Sequence, residues 1–128
     1  MRLAPVRKEF PPITRTALAL YAGASGDHNP VHIDSDAARA AGFPDVFAQG
    51  MLGMAYLGRI LTDTVPVDRI RSFSARFLAV TRLGDVLTGT GTVESCFAEG
   101  GEDRARLKLE LVNQHGEVKL AGQAVVAL

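Results

Sequence analysis

The sequence predicts an α+β fold in which one antiparallel β-sheet wraps around a single long α-helix, and three observations predict it. A long, nearly all-apolar stretch lies at the centre of the chain, from Val46 to Asp63. Everything after Arg69 switches to alternation of apolar and polar residues, the period of strands. Neither element can hide its apolar face alone, so the helix must be buried against the sheet. At 128 residues, with no internal repeat, linker or low-complexity tract, the chain reads as one domain over residues 1–128.

In chain order, Met1–Phe10 has scattered charges and no apolar core, so no signal peptide is predicted. Phe10-Pro11-Pro12-Ile13 reads as an extended lead-in, and Thr14 or Thr16 caps a short helix through Ala17–Ala22 that Gly23 stops. A polar passage follows, in which Gly26 can take backbone angles closed to other residues and Pro30 steers Asn29 toward extended geometry. On a continuous helix Asp27 and His32 would diverge by roughly 140°. A turn instead lets them converge on one small volume, as general acid–base chemistry on a water requires. Asp34 or Ser35 then caps a second short helix through Ala37–Ala41, with Gly42 at its end and Pro44 beyond.

Val46–Asp63 reads as a buried helix of about four turns, with small residues every few positions. From Arg69 to Ala79 a strand places Phe73 and Phe77 on one face, and Gly84-Asp85 turns the chain into a second strand, Val86–Phe97. After the polar turn Glu99–Asp103, Ala105, Leu107, Leu109 and Leu111 alternate with Arg106, Lys108 and Glu110, and Asn113–Gly116 returns the chain through Val118–Leu128. The second half is therefore expected to be an antiparallel meander. Its edge strands remain available for pairing, so two copies are expected to associate as a dimer.

Composition excludes several classes of function. Fourteen basic and fourteen acidic side chains give a formal net charge of zero, with no basic footprint for nucleic acid and no strong attraction to an anionic membrane. No run approaches the ~18 apolar residues of a membrane span. One cysteine, Cys96, permits no internal disulfide and suggests no zinc cluster, which fits a reducing, cytoplasmic setting.

The pattern Tyr21-x-x-x-Ser25-Gly26-Asp27-x-Asn29-Pro30-x-His32, followed by Asp34 and an alanine-rich helix, and then Gln49-Gly50-Met51 opening a long helix, resembles the MaoC-like, R-specific enoyl-CoA hydratases. The resemblance covers nearly the whole chain. It implies a hot-dog fold, usually a dimer, and reversible addition of water to a 2-enoyl thioester of coenzyme A or acyl carrier protein. No cofactor or metal is implied beyond the phosphopantetheine carried by the substrate. Position by position, Asp27 and His32 match the catalytic pair, and Gly50 matches the residue whose N–H receives the thioester oxygen. Ser25 and Asn29 match supporting positions. One departure is visible, since Gln49 stands where many members have histidine.

Other features keep two readings at this stage. Met51, Met54, Leu57 and Leu61 recur at helical spacing as core or as the wall of an acyl tunnel, and Tyr56 and the Phe73/Phe77 face would set its depth. Gly53 and Gly58 read as close-packing positions, and His28 and His115 as solvated. Arg7, Lys8, Arg69, Arg71 and Arg82 are scattered surface charge, with no assigned phosphate contact. Three alternatives to a self-sufficient hydratase stand: the catalytic subunit of a heteromeric dehydratase, a non-catalytic acyl-thioester-binding module, and a thioesterase.

Overall fold

The computed structural model describes residues 3–128. Its five strands form one antiparallel sheet: β1 (Val6–Glu9), β2 (Ile70–Phe77), β3 (Thr88–Glu99), β4 (Glu102–Val112) and β5 (Val118–Ala127). Three helices precede β2: α1 (Arg15–Ser25), α2 (Ser35–Ala40) and α3 (Gly50–Thr64). The strand order across the sheet is β1-β3-β4-β5-β2.

The inward face of the sheet follows from the alternation in β4. Ala105, Leu107, Leu109 and Leu111 are all buried, and through the register they sit opposite Val126, Ala124, Gly122 and Leu120 of β5. On the next strand, Phe73, Ala75 and Phe77 of β2 stand opposite Ala124, Gly122 and Leu120 and share that face. Against it lies α3, burying Leu52, Gly53, Leu57, Ile60 and Leu61. Each fully buried leucine contributes about 2 kcal/mol of burial free energy. Gly53 lets the helix lie close, since a Cβ there would come within 2.9 Å of the Leu120 side chain.

Four details differ from expectation. Helix α1 runs through Gly23 to Ser25 and ends at Gly26, whose φ of 78° is the left-handed geometry that closes a helix. Val6–Glu9 is a strand, paired with β3. The stretch Val46–Gln49 is extended rather than helical: Ala48 N–H donates to Thr81 O at 2.8 Å, and Phe47 bridges Arg82. The second half is a meander only from β3 to β5, because β2 pairs with β5 on the far edge. The chain then crosses from β2 through Leu78–Leu87 to the β1 side, where Asp85 and Leu87 carbonyls accept from Ile13 and Phe10.

Candidate active site

Three side-chain-to-backbone hydrogen bonds, each spanning two residues, shape the polar passage. Thr14 caps the start of α1 through Ala17 N–H, and at the other end Asp27 N–H donates to Ser25 Oγ at 3.1 Å. Asn29 N–H reaches back to Asp27 Oδ1 at 3.4 Å, and Asn29 Oδ1 accepts from Val31 N–H at the start of the 3₁₀ turn Pro30–His32. Side chains that bond the backbone two residues on are what make Asx turns form. The result folds Asp27–His32 back on itself and places His32 Nε2 3.7 Å from Asp27 Oδ2.

His32 is buried and Asp27 is half exposed, so one partner is fixed and the other faces outward. The imidazole is oriented by Phe47, whose carbonyl lies 2.8 Å from Nδ1 and whose ring packs edge-on at 4.9 Å. A carbonyl only accepts, so Nδ1 carries a proton, and in the neutral imidazole that leaves the lone pair on Nε2, the nitrogen on the Asp27 side. At 3.7 Å, Nε2 and Asp27 Oδ2 make no direct hydrogen bond. Water with hydrogen bonds of about 2.8 Å to each would subtend about 80° at its oxygen, tighter than the angle between its two hydrogens, so both bonds would be moderately bent. Tyr21, partly buried above this turn, has its phenol pKa pushed up by burial and further by the Asp27 charge.

The second half of the site lies at the start of α3. Gln49 occupies the cap position without capping the helix through its side chain, and Gly50 N–H makes no hydrogen bond within the described residues. It sits at the positive end of the α3 dipole, where unpaired amides stabilise negative charge. Gly50 borders a cavity of about 330 Å³, together with Phe47, Ala48, Phe77, the segment Leu78–Thr81, and Leu120. Phe47 joins the two halves, holding His32 through its carbonyl while lining the cavity.

Of the expected pocket residues, Phe77 lines this cavity, and Met51, Met54 and Tyr56 do not. The helical period explains the difference. Gly50 points at Phe77, while Met51, one position on, is turned outward and 55% exposed. Met54 packs on the core, and the Tyr56 ring stacks on Phe10 at 4.2 Å. Ala79 was expected in the strand from Arg69, but β2 ends at Phe77, and Val80 and Thr81 were not anticipated, since an irregular segment has no period to read.

Two supports around the site also carry no sequence signal. Arg15 of α1 donates to Ser35 at the start of α2 and to Asp45 ahead of α3, and Ser35 donates to Asp45, so one cluster ties the three segments that frame the turn. These bonds hold the Asp45 carboxyl well below the usual carboxylate range, the Arg15 guanidinium contributing most. Lys119, 1% exposed, donates to Val80 O at 2.7 Å and pairs with Asp85 and Glu117 behind the cavity wall.

A sheet wrapped on a long helix defines a hot-dog protein, and Phe47 links the Asp27–His32 turn to the cavity that Gly50 borders, a cavity that neither Asp27 nor His32 lines. The comparisons place it further. Residues 4–113 match the model of the MaoC like domain, and the chain belongs to that family, one of hydratases and dehydratases. An (R)-specific enoyl-CoA hydratase of Rhodospirillum rubrum is 30% identical over 116 residues, covering 89% of this chain and 78% of that protein. Fatty acid synthase subunit beta of Aspergillus oryzae is 40% identical over 74 residues, 55% of this chain but 4% of that much longer protein. Among solved structures, the unliganded R-hydratase PhaJ1 from Pseudomonas aeruginosa superposes with a TM-score of 0.84 at 27% identity, over 98% of this chain and 80% of that one. Among the described residues no helix is long and apolar enough to cross a membrane.

Proposed function

We propose that this chain adds water reversibly across the C2–C3 double bond of a 2-enoyl thioester, giving an (R)-3-hydroxyacyl thioester of coenzyme A or acyl carrier protein. The observation that carries the reading is the 3.7 Å spacing of Asp27 and His32, with the histidine tautomer set by Phe47. In the hydration direction, water held between the two gives its oxygen to C3 and a proton to the pair, with Asp27 taking the larger part of the proton transfer. The C2–C3 π electrons move toward the carbonyl, and the Gly50 N–H stabilises the enolate oxygen as its charge develops. A proton returned from the pair to C2 completes the addition, and dehydration runs the same steps backwards. The R configuration rests on similarity to the R-specific relatives.

The reading includes a homodimer. Strand β2 is a free edge of the sheet, and Phe77, Leu78 and Met51 beside Gly50 are each more than half exposed. A second copy would cover that edge.

The test is crotonyl-CoA hydration by the purified chain, followed as loss of enoyl absorbance, with chiral analysis of the product and light scattering for mass. An R product is expected, and Asp27→Asn and His32→Ala each lower turnover by at least 10²–10⁴-fold with the circular dichroism unchanged. An S product, no product, or near-wild-type turnover in both variants overturns the proposal.

A further inference from the structure

The side chain immediately ahead of Gly50 has half of its hydrogen-bonding capacity in use and half idle. Gln49 is 1% exposed. Its Nε2 donates to the carbonyl of Leu18, inside α1, at 3.1 Å. Its Oε1 is buried with no partner among the described residues. The short polar side chains favoured at a helix cap position turn onto the first-turn amides, and Gln49 makes no such bond. It reaches across to another helix instead.

That helix is the one whose end presents Ser25, Gly26 and Asp27. Gln49 therefore bridges the two halves of the site, with the carboxylate on one side and the Gly50 N–H directly attached on the other. A buried acceptor left without a donor lowers stability, and an apolar side chain of the same length would avoid that loss. Packing alone does not account for an amide here. Oxyanion stabilisation, by contrast, depends on the donor lying at a fixed place relative to the reacting atoms, and errors of about 1 Å are costly.

We infer that Gln49 is a positioning residue, whose carboxamide fixes the separation between the Gly50 N–H and Asp27 by tying the start of α3 to α1. This rests on the hydro-lyase reading of the site and adds a residue to it. Gln49 does not touch the substrate in this role; its donor half acts through the two helices, and its idle acceptor accompanies that donor.

The decisive variant is Gln49→Met, close in length and shape but without the donor or the idle acceptor. Gln49→His, which keeps an N–H at the same position, is the rescue. For Gln49→Met the expected results are a melting temperature at or above wild type, a ten- to hundredfold fall in kcat, and KM within about twofold, the pattern of an interaction that matters in the transition state. Gln49→His recovers most of the lost kcat. Two-dimensional amide NMR of Gln49→Met shows displaced resonances at Gly50 and also across Ser25–Asn29. Unchanged kcat, a loss no greater in kcat than in KM, or a melting temperature several degrees below wild type overturns the inference while leaving the hydro-lyase reading standing. If wild-type protein hydrates no enoyl thioester, that reading falls instead, and the NMR arm decides by itself: displacements confined to residues 48–51 overturn the bridging role, and displacements reaching Asp27 sustain it.

Discussion

Replacing Gly50 by proline removes a single hydrogen-bond donor and leaves the helix in place. Gly50 is the first residue of α3, a position where proline is well accepted because the N–H it lacks had no partner within the helix. The preceding residue must be extended, and Gln49 already has φ −58° and ψ 136°. A new Cβ would stand 3.2 Å from Phe77 Cε1, so the ring must give by a few tenths of an ångström, and at 53% exposure it has room. Gly50→Ala carries the same Cβ with the N–H retained and is the control. Losing one oxyanion donor costs about 10²–10³ in kcat, or roughly 2.7–4 kcal/mol. In the crotonyl-CoA assay, Gly50→Ala is expected within tenfold of wild type and Gly50→Pro a further 10²–10³-fold lower, with both melting within a few degrees of wild type. Equal turnover of the two variants would refute the assignment of Gly50 as the oxyanion donor and leave only the Asp27–His32 pair.

Three further outcomes follow from packing and charge. Gly53→Ala and Gly58→Ala are expected to have opposite signs in urea denaturation: the first drives a Cβ to 2.9 Å from buried Leu120 and costs about 1 kcal/mol net of helix propensity, while the second meets Phe73 at an ordinary 3.6 Å and gains about 0.5–1 kcal/mol. The same sign for both would show that the helix does not lie against the sheet as described. Gly122→Ala would put a Cβ 2.5 Å from the Ser74 carbonyl, so loss of about 1–3 kcal/mol is expected, with faster hydrogen exchange along β2; unchanged exchange there would contradict the β2–β5 pairing. Glu102, bonded first by Arg71 and then by Arg104, is held down to about 2 from 4.5. A depressed carboxyl contributes stability above its unfolded value and loses it as pH falls, so wild type should lose melting temperature between pH 4.5 and 2 more steeply than Glu102→Gln. Parallel curves would mean that these exposed pairs contribute nothing.

What the sequence made legible was local. The alternation in β4 identified the buried Ala105, Leu107, Leu109 and Leu111, because a strand with one face on the core must repeat every two residues. The convergence of Asp27 and His32 was readable because Gly26 and Pro30 forbid a continuous helix between them. Which glycine ends α1 was not readable. An interior glycine costs a helix only about 1 kcal/mol, so Gly23 is tolerated, and the stop falls at Gly26, where the backbone turns left-handed. Nor does alternation name a partner: it gave β2 its faces but could not say that β2 pairs with β5. Lys119 is the sharpest case. In Val118-Lys119-Leu120 the simple period turns the lysine outward, but Leu111 pairs with Leu120 and Val112 with Val118, so Lys119 is the extra residue of a bulge. The bulge turns its ammonium inward to Val80 and Asp85.

That division has a consequence for specificity. The acid, the imidazole and the helix-start glycine all lie within the matched pattern, which therefore speaks to the reaction. Most of the cavity wall does not. Leu78 and Ala79 N–H groups both donate to the Lys119 carbonyl, and the Lys119 ammonium holds the Val80 carbonyl from behind, so one residue on β5 sets the path of the irregular segment that faces the ligand space. Ala79, which is partly exposed, can vary in size with no bond that fixes Asp27, His32 or Gly50 passing through its side chain. Under the proposed function, selection among acyl groups would fall to this part of the wall, whose side chains do not carry the bonds that fix Asp27, His32 and Gly50. Enlarging or filling it at Ala79 is the substitution expected to change which thioester is preferred while the Asp27 and His32 dependence stays the same.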